Sequence, residues 1–518
     1  PWRREGVDGR ILNRRQSHID ANDTGLPVFS TGLACSSDAF NYFSMSGKKF
    51  SVNATYVSLG CLSPALLRLL RSWNLASLGL PRSAWELDVG PLMKTISLLQ
   101  SGCQAKIAMD NKQSITALVR MGLLTANLDS PMHSCWTNTK HCNAKTKRPC
   151  QVCNVHLDDL GDPDVDLSRH RRTADGLQQD LLKVASAAQG ADRSALSRAK
   201  GVMPGKFPNP LDLLAFDRVE NIGIDVLHQD ALNADRQIMT WFLEALTADG
   251  AAVVRARFAT RAMLPPNASP LGDITSPGGW SSLTGQELWM VSSVFPFLIC
   301  PIFAGADSLH RYFRANVAGD VASRIGGNVS TAAGKLMVCN ACRNLCKATS
   351  WSSFVVRSPF FSPEGLRVLH ASMKEQVKQA ALVMDLTSGT IHKSLHYVSN
   401  LKMNGVVTNT NVGEAKNKEL KASAVSTDGR QNARHIWRVT NDKLALKALA
   451  DGVRWTARGW DGSKWYSREV EAGVLCQFAL QDLFSILPLA PAGPEDGGFS
   501  AGYPLGLLKW EVDLSAGG

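Results

Sequence analysis

The sequence predicts an α/β fold, and three observations predict it. Segments rich in β-branched and aromatic residues precede residue 60, a helical pattern then covers about Trp85 to Gln100, and further strand pattern follows up to Asp129. Strands, a helical interval and more strand is an α/β order, and at 518 residues more than one domain is expected.

Taken in order, Phe40–Ser46 and Ala54–Leu59 read as strands separated by Gly47-Lys48-Lys49. Ser63-Pro64 opens a helix, with serine as cap and Leu66, Leu67, Leu69 and Leu70 as its apolar residues. Ala105–Met109 reads as a strand, and the apolar run Leu123–Leu128 delivers Asp129 to a turn at Ser130-Pro131. Leu177–Ala188 and Ala191–Ala199 read as helices, after which Pro204, Pro208 and Pro210 interrupt the pattern. Ile224–Ala248 and Leu366–Leu386 are long helix candidates, with a Pro/Gly/Ser-rich loop at Leu264–Ser282 between them. The segment Ile391–Lys402 is apolar and carries His392 and His396 one helical turn apart, and Asn411–Ala424 reads as a polar helix bearing Glu414. After Trp455 the chain is rich in Gly, Pro and Trp and reads as irregular structure.

An apolar content of 44% and a charged content of 19% are those of a globular protein and exclude a disordered one. The formal charge of +11 points to an acidic partner, nucleic acid before an anionic membrane. Leu288–Ala304 is the most apolar stretch; it is short for a membrane span, carries Pro296 and Pro301, and is expected as buried structure. The twelve cysteines are too sparse for a secreted disulfide framework, which favours a reducing, intracellular compartment. No Gly-rich phosphate loop and no Gly-x-Ser-x-Gly occurs, which argues against an NTPase and an α/β-hydrolase. Pro1 in place of methionine suggests that an N-terminal region precedes this sequence.

The chemistry concentrates between Leu123 and Asp159. Cys150-Gln-Val-Cys153 supplies half of a tetrahedral zinc site, with His133, Cys135, His141 and Cys142 close by in sequence. In Asp225-Val-Leu-His228 one helical turn brings the two side chains together, so that His228 either completes the zinc site or holds an active-site carboxylate. Cys339, Cys342 and Cys346 form a second sulfur cluster without a histidine partner, for which simple burial is the leading reading. Phosphodiester chemistry needs two cations held by acidic side chains, and Asp20 or Asp23, Asp129 and Glu414 stand at strand ends or on a helix where such ligands are useful. Arg430, Arg434 and Arg438 are interleaved with Trp437, a pattern suited to DNA phosphates and equally to a solvated basic helix.

In collinear order these pieces resemble the Plavaka-type transposases, relatives of the CACTA and Kyakuja–Dileera–Zisupton DNA transposons. Leu128-Asp129-Ser130-Pro131-Met132 looks like that family's second catalytic aspartate, and Cys150/Cys153 with Asp158–Asp162 and Arg171-Arg172-Thr173 is similar to its cysteine pair and following segment. Gly223–His228 resembles its Asp/Glu-x-x-His element, and His392 to His396 with Asn409–Asn417 is similar to the part holding the last acid, Glu414.

The resemblance implies an RNase H-like mixed-sheet core in residues 1–129 and 366–455, interrupted by a mostly helical insertion at 130–365 that carries zinc, with an irregular tail at 456–518. It implies a DDE-type DNA transposase that cleaves and transfers DNA strands with Mg²⁺ (or Mn²⁺) on Asp20 (or Asp23), Asp129 and Glu414. It further implies Zn²⁺ on Cys150 and Cys153 with His228, and DNA contacts from Arg430, Arg434 and Arg438. A nuclear location, DNA as partner, no membrane, and a homo-oligomer complete the expectation, for an N-terminally truncated or decayed copy. The alternative is a transposase-derived DNA-binding or scaffold protein that has lost catalysis.

Overall fold

The computed structural model describes residues 25–45, 48–59, 74–78, 85–108, 114–142, 146–205, 208–260, 274–275, 279, 283–358, 361–404, 455–460, 465–470 and 511–512. The chain divides into two compact units. One contains Asn13–Leu124, Pro210–Phe216 and Val412–Gly518; the other contains Thr125–Asn209 and Asp217–Asn411 together with Pro1–Leu12.

The first unit is built on strands. β1 (Val28–Met45) pairs antiparallel with β2 (Lys48–Leu59) from Leu33↔Leu59 to Met45↔Lys48, with a register shift between Asn41 and Phe43. β2 pairs in turn with β3 (Asn74–Leu78). Leu33, Ala34, Cys35, Ser36 and Ser37 of β1 are all buried, and the Ser37 and Thr55 hydroxyls satisfy each other at 3.0 Å across the β1–β2 pair. Helix α1 (Trp85–Ser101) buries Trp85, Val89, Met93 and Ile96, a stripe with the helical period, as the sequence predicts. β4 (Cys103–Ala108) and β5 (Ser114–Leu128) form an antiparallel pair. Late in the chain β7 (Trp455–Trp460) pairs with β8 (Trp465–Val470), and β9 (Glu511–Val512) pairs with β4. The strand order is β3-β2-β1-β5-β4-β9. The expectation of an irregular tail after Trp455 is corrected for the described residues 455–460 and 465–470, which pair as strands with Trp460 opposite Trp465, and for the short strand β9. The remainder of 456–518 lies outside the described residues.

The second unit is mostly helical. Among the described residues its strands are the last part of β5 and β6 (Ile222–Ile224), which pair in parallel with Ala126↔Ile222, Asn127↔Gly223 and Leu128↔Ile224. Asp129 follows β5 and caps α2 (Ser130–Thr137), accepting the Met132 N–H at 2.7 Å, with Pro131 in the first turn. Next come α3 (Ala174–Ser186) and α4 (Ala191–Lys200), close to the predicted spans; Thr173 caps α3, which buries Leu177, Leu181 and Val184. The predicted helix over Ile224–Ala248 is split. Ile222–Ile224 are buried on strand β6, and Asp225 takes the Leu227 and His228 N–H groups, so helical structure begins only after it. It begins as a π-helical turn, Leu227–Asp235, and continues as α5 (Arg236–Ala245); Thr247 then caps a separate helix, α6 (Ala248–Ala259).

Leu288–Ala304 is core structure, as expected. α7 (Gly285–Ile299) opens with a capping box between Thr284 and Glu287 and leads into a 3-10 turn at Cys300–Phe303. Phe242, Phe295, Phe303 and Phe313 pack together at ring separations of 5.2–6.0 Å. Among the described residues no single helix is long and apolar enough to cross a membrane; one bent helix pair, Glu287–Phe303 with Ala306–Tyr312, passes by length and composition alone. After α8 (Leu309–Tyr312) and α9 (Ala315–Arg324), α10 (Ala332–Val356) packs against α7 and against α11 (Pro363–Val383). A 3-10 turn, His392–His396, then leads into α12 (Tyr397–Asn404). Thus α11 and the histidine segment belong to the same compact unit as the helical region before them.

Candidate metal centre

Cys150, Cys153, His392 and His396 are buried, and their ligand atoms all lie within 4.8 Å of one another. Cys150 Sγ is 3.6 Å from His396 Nε2, and Cys153 Sγ is 3.4 Å from His392 Nε2. In a tetrahedral zinc site, with Zn–S about 2.3 Å and Zn–N about 2.0–2.1 Å, sulfur and nitrogen ligands sit about 3.5 Å apart. The four donors therefore stand where such a site would hold them. Both thiols come from one Cys-x-x-Cys loop, and both imidazoles come from the two ends of one 3-10 turn, His392–His396, with rings 5.6 Å apart.

The surroundings fix these side chains. His392 faces the thiols through Nε2 while its Nδ1 lies 3.2 Å from the Leu160 carbonyl, the kind of outer contact that sets tautomer and ring orientation in metal sites. Arg172 is buried, and its Nε donates to the Cys150 and Cys153 carbonyls at 3.2 and 3.0 Å. The guanidinium also reaches the Lys200 and Arg148 carbonyls at 3.4 Å, which ties the cysteine loop to the end of α4. Gly201, just past α4, has φ +66°, and a Cβ there would lie 2.2 Å from the Arg148 carbonyl oxygen. Gly389 donates to the Cys142 carbonyl at 3.0 Å, and a Cβ there would press on the Pro149–Cys150 peptide at 2.9–3.0 Å. The histidine segment thus approaches the cysteine loop backbone to backbone.

The titration behaviour follows from the packing. Burial alone would raise the Cys150 thiol, but the Cys153 hydrogen bond and the imidazoles of His396 and His392 outweigh it and hold Cys150 well below the ordinary thiol value. Burial and the neighbouring Cys150 push Cys153 well up. Burial, with His396 beside it, keeps His392 below the usual imidazole range, in the neutral form that ligates metals.

Of the predicted metal ligands, Cys150 and Cys153 are in this cluster and His228 is not. His228 Nδ1 instead pairs with Asp225 Oδ2, the second of the two roles that the sequence allows it. Nor do the nearby residues His133, Cys135 and Cys142 join: the His133 ring meets the buried Lys393 ammonium at 3.2 Å, and Cys142 accepts from the Thr390 hydroxyl. His392 and His396 were visible in the sequence as an i, i+4 pair; what it could not show is that they meet a loop far back in the chain.

Asp129 and Asp225 follow the register partners Leu128 and Ile224, so both leave the same end of two adjacent parallel strands. Lys393 feels both carboxylates and donates to Gln151 Oε1 at 2.5 Å; burial nevertheless lowers its pKa. Asp20, Asp23, Glu414, Arg430, Arg434 and Arg438 lie outside the described residues, so the proposed meeting of three acids is not on view. Among the described residues, Cys150/Cys153/His392/His396 is the only group of three or more metal-ligating side chains at coordinating separation. No protein-family model matches this chain, and no curated protein matches it.

Proposed function

We propose that this chain is a DDE-type DNA transposase whose helical part is stiffened by a structural zinc ion on Cys150, Cys153, His392 and His396. The observation that carries the catalytic reading is the placement of Asp129 beside Asp225 at the ends of parallel strands β5 and β6. Strand ends fix carboxylates while the following turns leave room for substrate, which is where metal-dependent phosphodiester chemistry needs them. In this reading Asp129 acts with Asp20 or Asp23 and with Glu414, and the core is RNase H-like. His228 holds the Asp225 carboxylate through its ring nitrogen. Mg²⁺, when bound, would supply an activated oxygen nucleophile and charge for the leaving oxygen. The chain's own part is to hold and orient: α2 fixes Asp129 through the Met132 amide, and Lys393 balances charge behind both aspartates.

Lys393 also favours a second reading. It already places a cation within electrostatic reach of both carboxylates, as a protein would that kept the fold and the zinc but lost catalysis. A Mg²⁺- or Mn²⁺-dependent nicking assay on labelled transposon-end DNA separates the two. The catalytic reading expects cleavage by the wild type and none by Asp129→Asn, with zinc content and melting unchanged. Cleavage retained by Asp129→Asn removes that residue from the site, and no cleavage by the wild type supports the non-catalytic reading.

A further inference from the structure

Helix α10 is 25 residues long and contains no Asp or Glu, while Lys335, Arg343 and Lys347 give it positive charge. Its inner face is buried through Val338, Cys342, Leu345, Thr349, Ser352 and Val356. The outer face carries Asn340, Asn344, Lys347, Trp351 and Phe354 at alternating spacings of four and three, so they form one exposed stripe, with Arg343 beside it and bonded to the Asn340 side chain.

Trp351 and Phe354 are 53% and 63% exposed, and their rings stack on each other with centroids 5.8 Å apart and planes 23° from parallel. Scattered exposed apolar residues are ordinary. A preformed aromatic stack one turn from a lysine, on a helix free of carboxylates, is a different feature. Both rings stay half exposed or more while holding each other in place, so a further flat π-system can join the stack with little added ordering.

We infer that the Trp351–Phe354 stack on α10 is a docking surface for single-stranded nucleic acid, with unpaired bases extending the stack and phosphates meeting Lys347 and Arg343. The charge selects a polyanion, and the rings select one with free base faces; bases within a duplex are already stacked and offer none. The inference takes DNA as the nucleic acid from the function proposed above, and it otherwise concerns a surface separate from Asp129.

The test uses fluorescence anisotropy of a labelled oligothymidylate with the full chain. Trp351→Ala and Phe354→Ala should each weaken binding by about tenfold. Lys347→Ala should weaken it too and reduce the slope of log affinity against log salt by about 0.7. Duplex of equal length should be insensitive to the ring substitutions, and melting temperatures should not move, since both rings face water. A wild-type chain that ignores the single strand, or ring variants that bind it as the wild type does, overturns the inference. Ring-dependent strand binding without any nicking upholds it while the catalytic reading fails. Nicking combined with ring-independent binding does the reverse.

Discussion

Cys150 Sγ lies 3.6 Å from His396 Nε2, although the two residues are 246 positions apart in the chain. Binding a metal there would therefore cross-link distant segments of one unit, and its free energy would add to folding stability. The chain should purify with one zinc per molecule, by elemental analysis. Cys150→Ser and His396→Ala should each lower zinc content by at least tenfold and reduce the melting temperature by several degrees. His228→Ala should leave zinc unchanged, because that ring is engaged with Asp225.

Asp129 is both a candidate catalytic acid and a helix cap, and the two roles separate by substitution. Asparagine caps as well as aspartate does, so Asp129→Asn should fold normally. Asp129→Ala should additionally lose about 1 kcal/mol from the uncapped α2, read as a lower denaturation midpoint in urea.

Asp230 and Asp235 are buried in the π-helical turn. Burial raises Asp230 to about 6, against the charge of Arg357 and the hydrogen bond from Trp289, and raises Asp235 well above the carboxylate range with Asp230 beside it. A carboxyl whose folded pKa lies above its unfolded one stabilises the fold in its protonated form. That contribution is complete below about 4 and is lost as pH rises through about 6. Asp230→Asn should thus melt at a higher temperature than the wild type at pH 7.5, by a margin of about 1–3 kcal/mol. The margin should vanish near pH 4, which thermal melts across that range would show.

Gly201→Ala should destabilise the protein by about 1–3 kcal/mol, since it combines a positive φ with a methyl group driven into the Arg148 carbonyl. Because Arg148 and Arg172 adjoin the cysteine loop, zinc should also leave Gly201→Ala faster under chelator, measured with a colorimetric zinc indicator.

Much of the local structure was legible in the residues themselves. The buried stripe of α1 and the spans of α3 and α4 are written in side-chain periodicity, which acts over a few residues, whereas Asp129-Ser130-Pro131 reads as a turn and its opening of α2 emerged only in the structure. The Cys-x-x-Cys was legible as half a metal site for the same reason. The break in the Ile224–Ala248 pattern was not, because three buried apolar residues fit a strand and a helix equally until Leu128 is seen opposite Ile224.

By itself, the sequence determined which segments are amphipathic, that the chain is basic, and that Cys150 and Cys153 are spaced as half of a metal site. Only the tertiary structure decided that His392 and His396, not His228, face those thiols, and that Asp129 and Asp225 leave the sheet together. The physical reason is one of range: propensity, capping and spacing are local, whereas a ligand set and a pair of carboxylates depend on contacts between segments that share no local pattern.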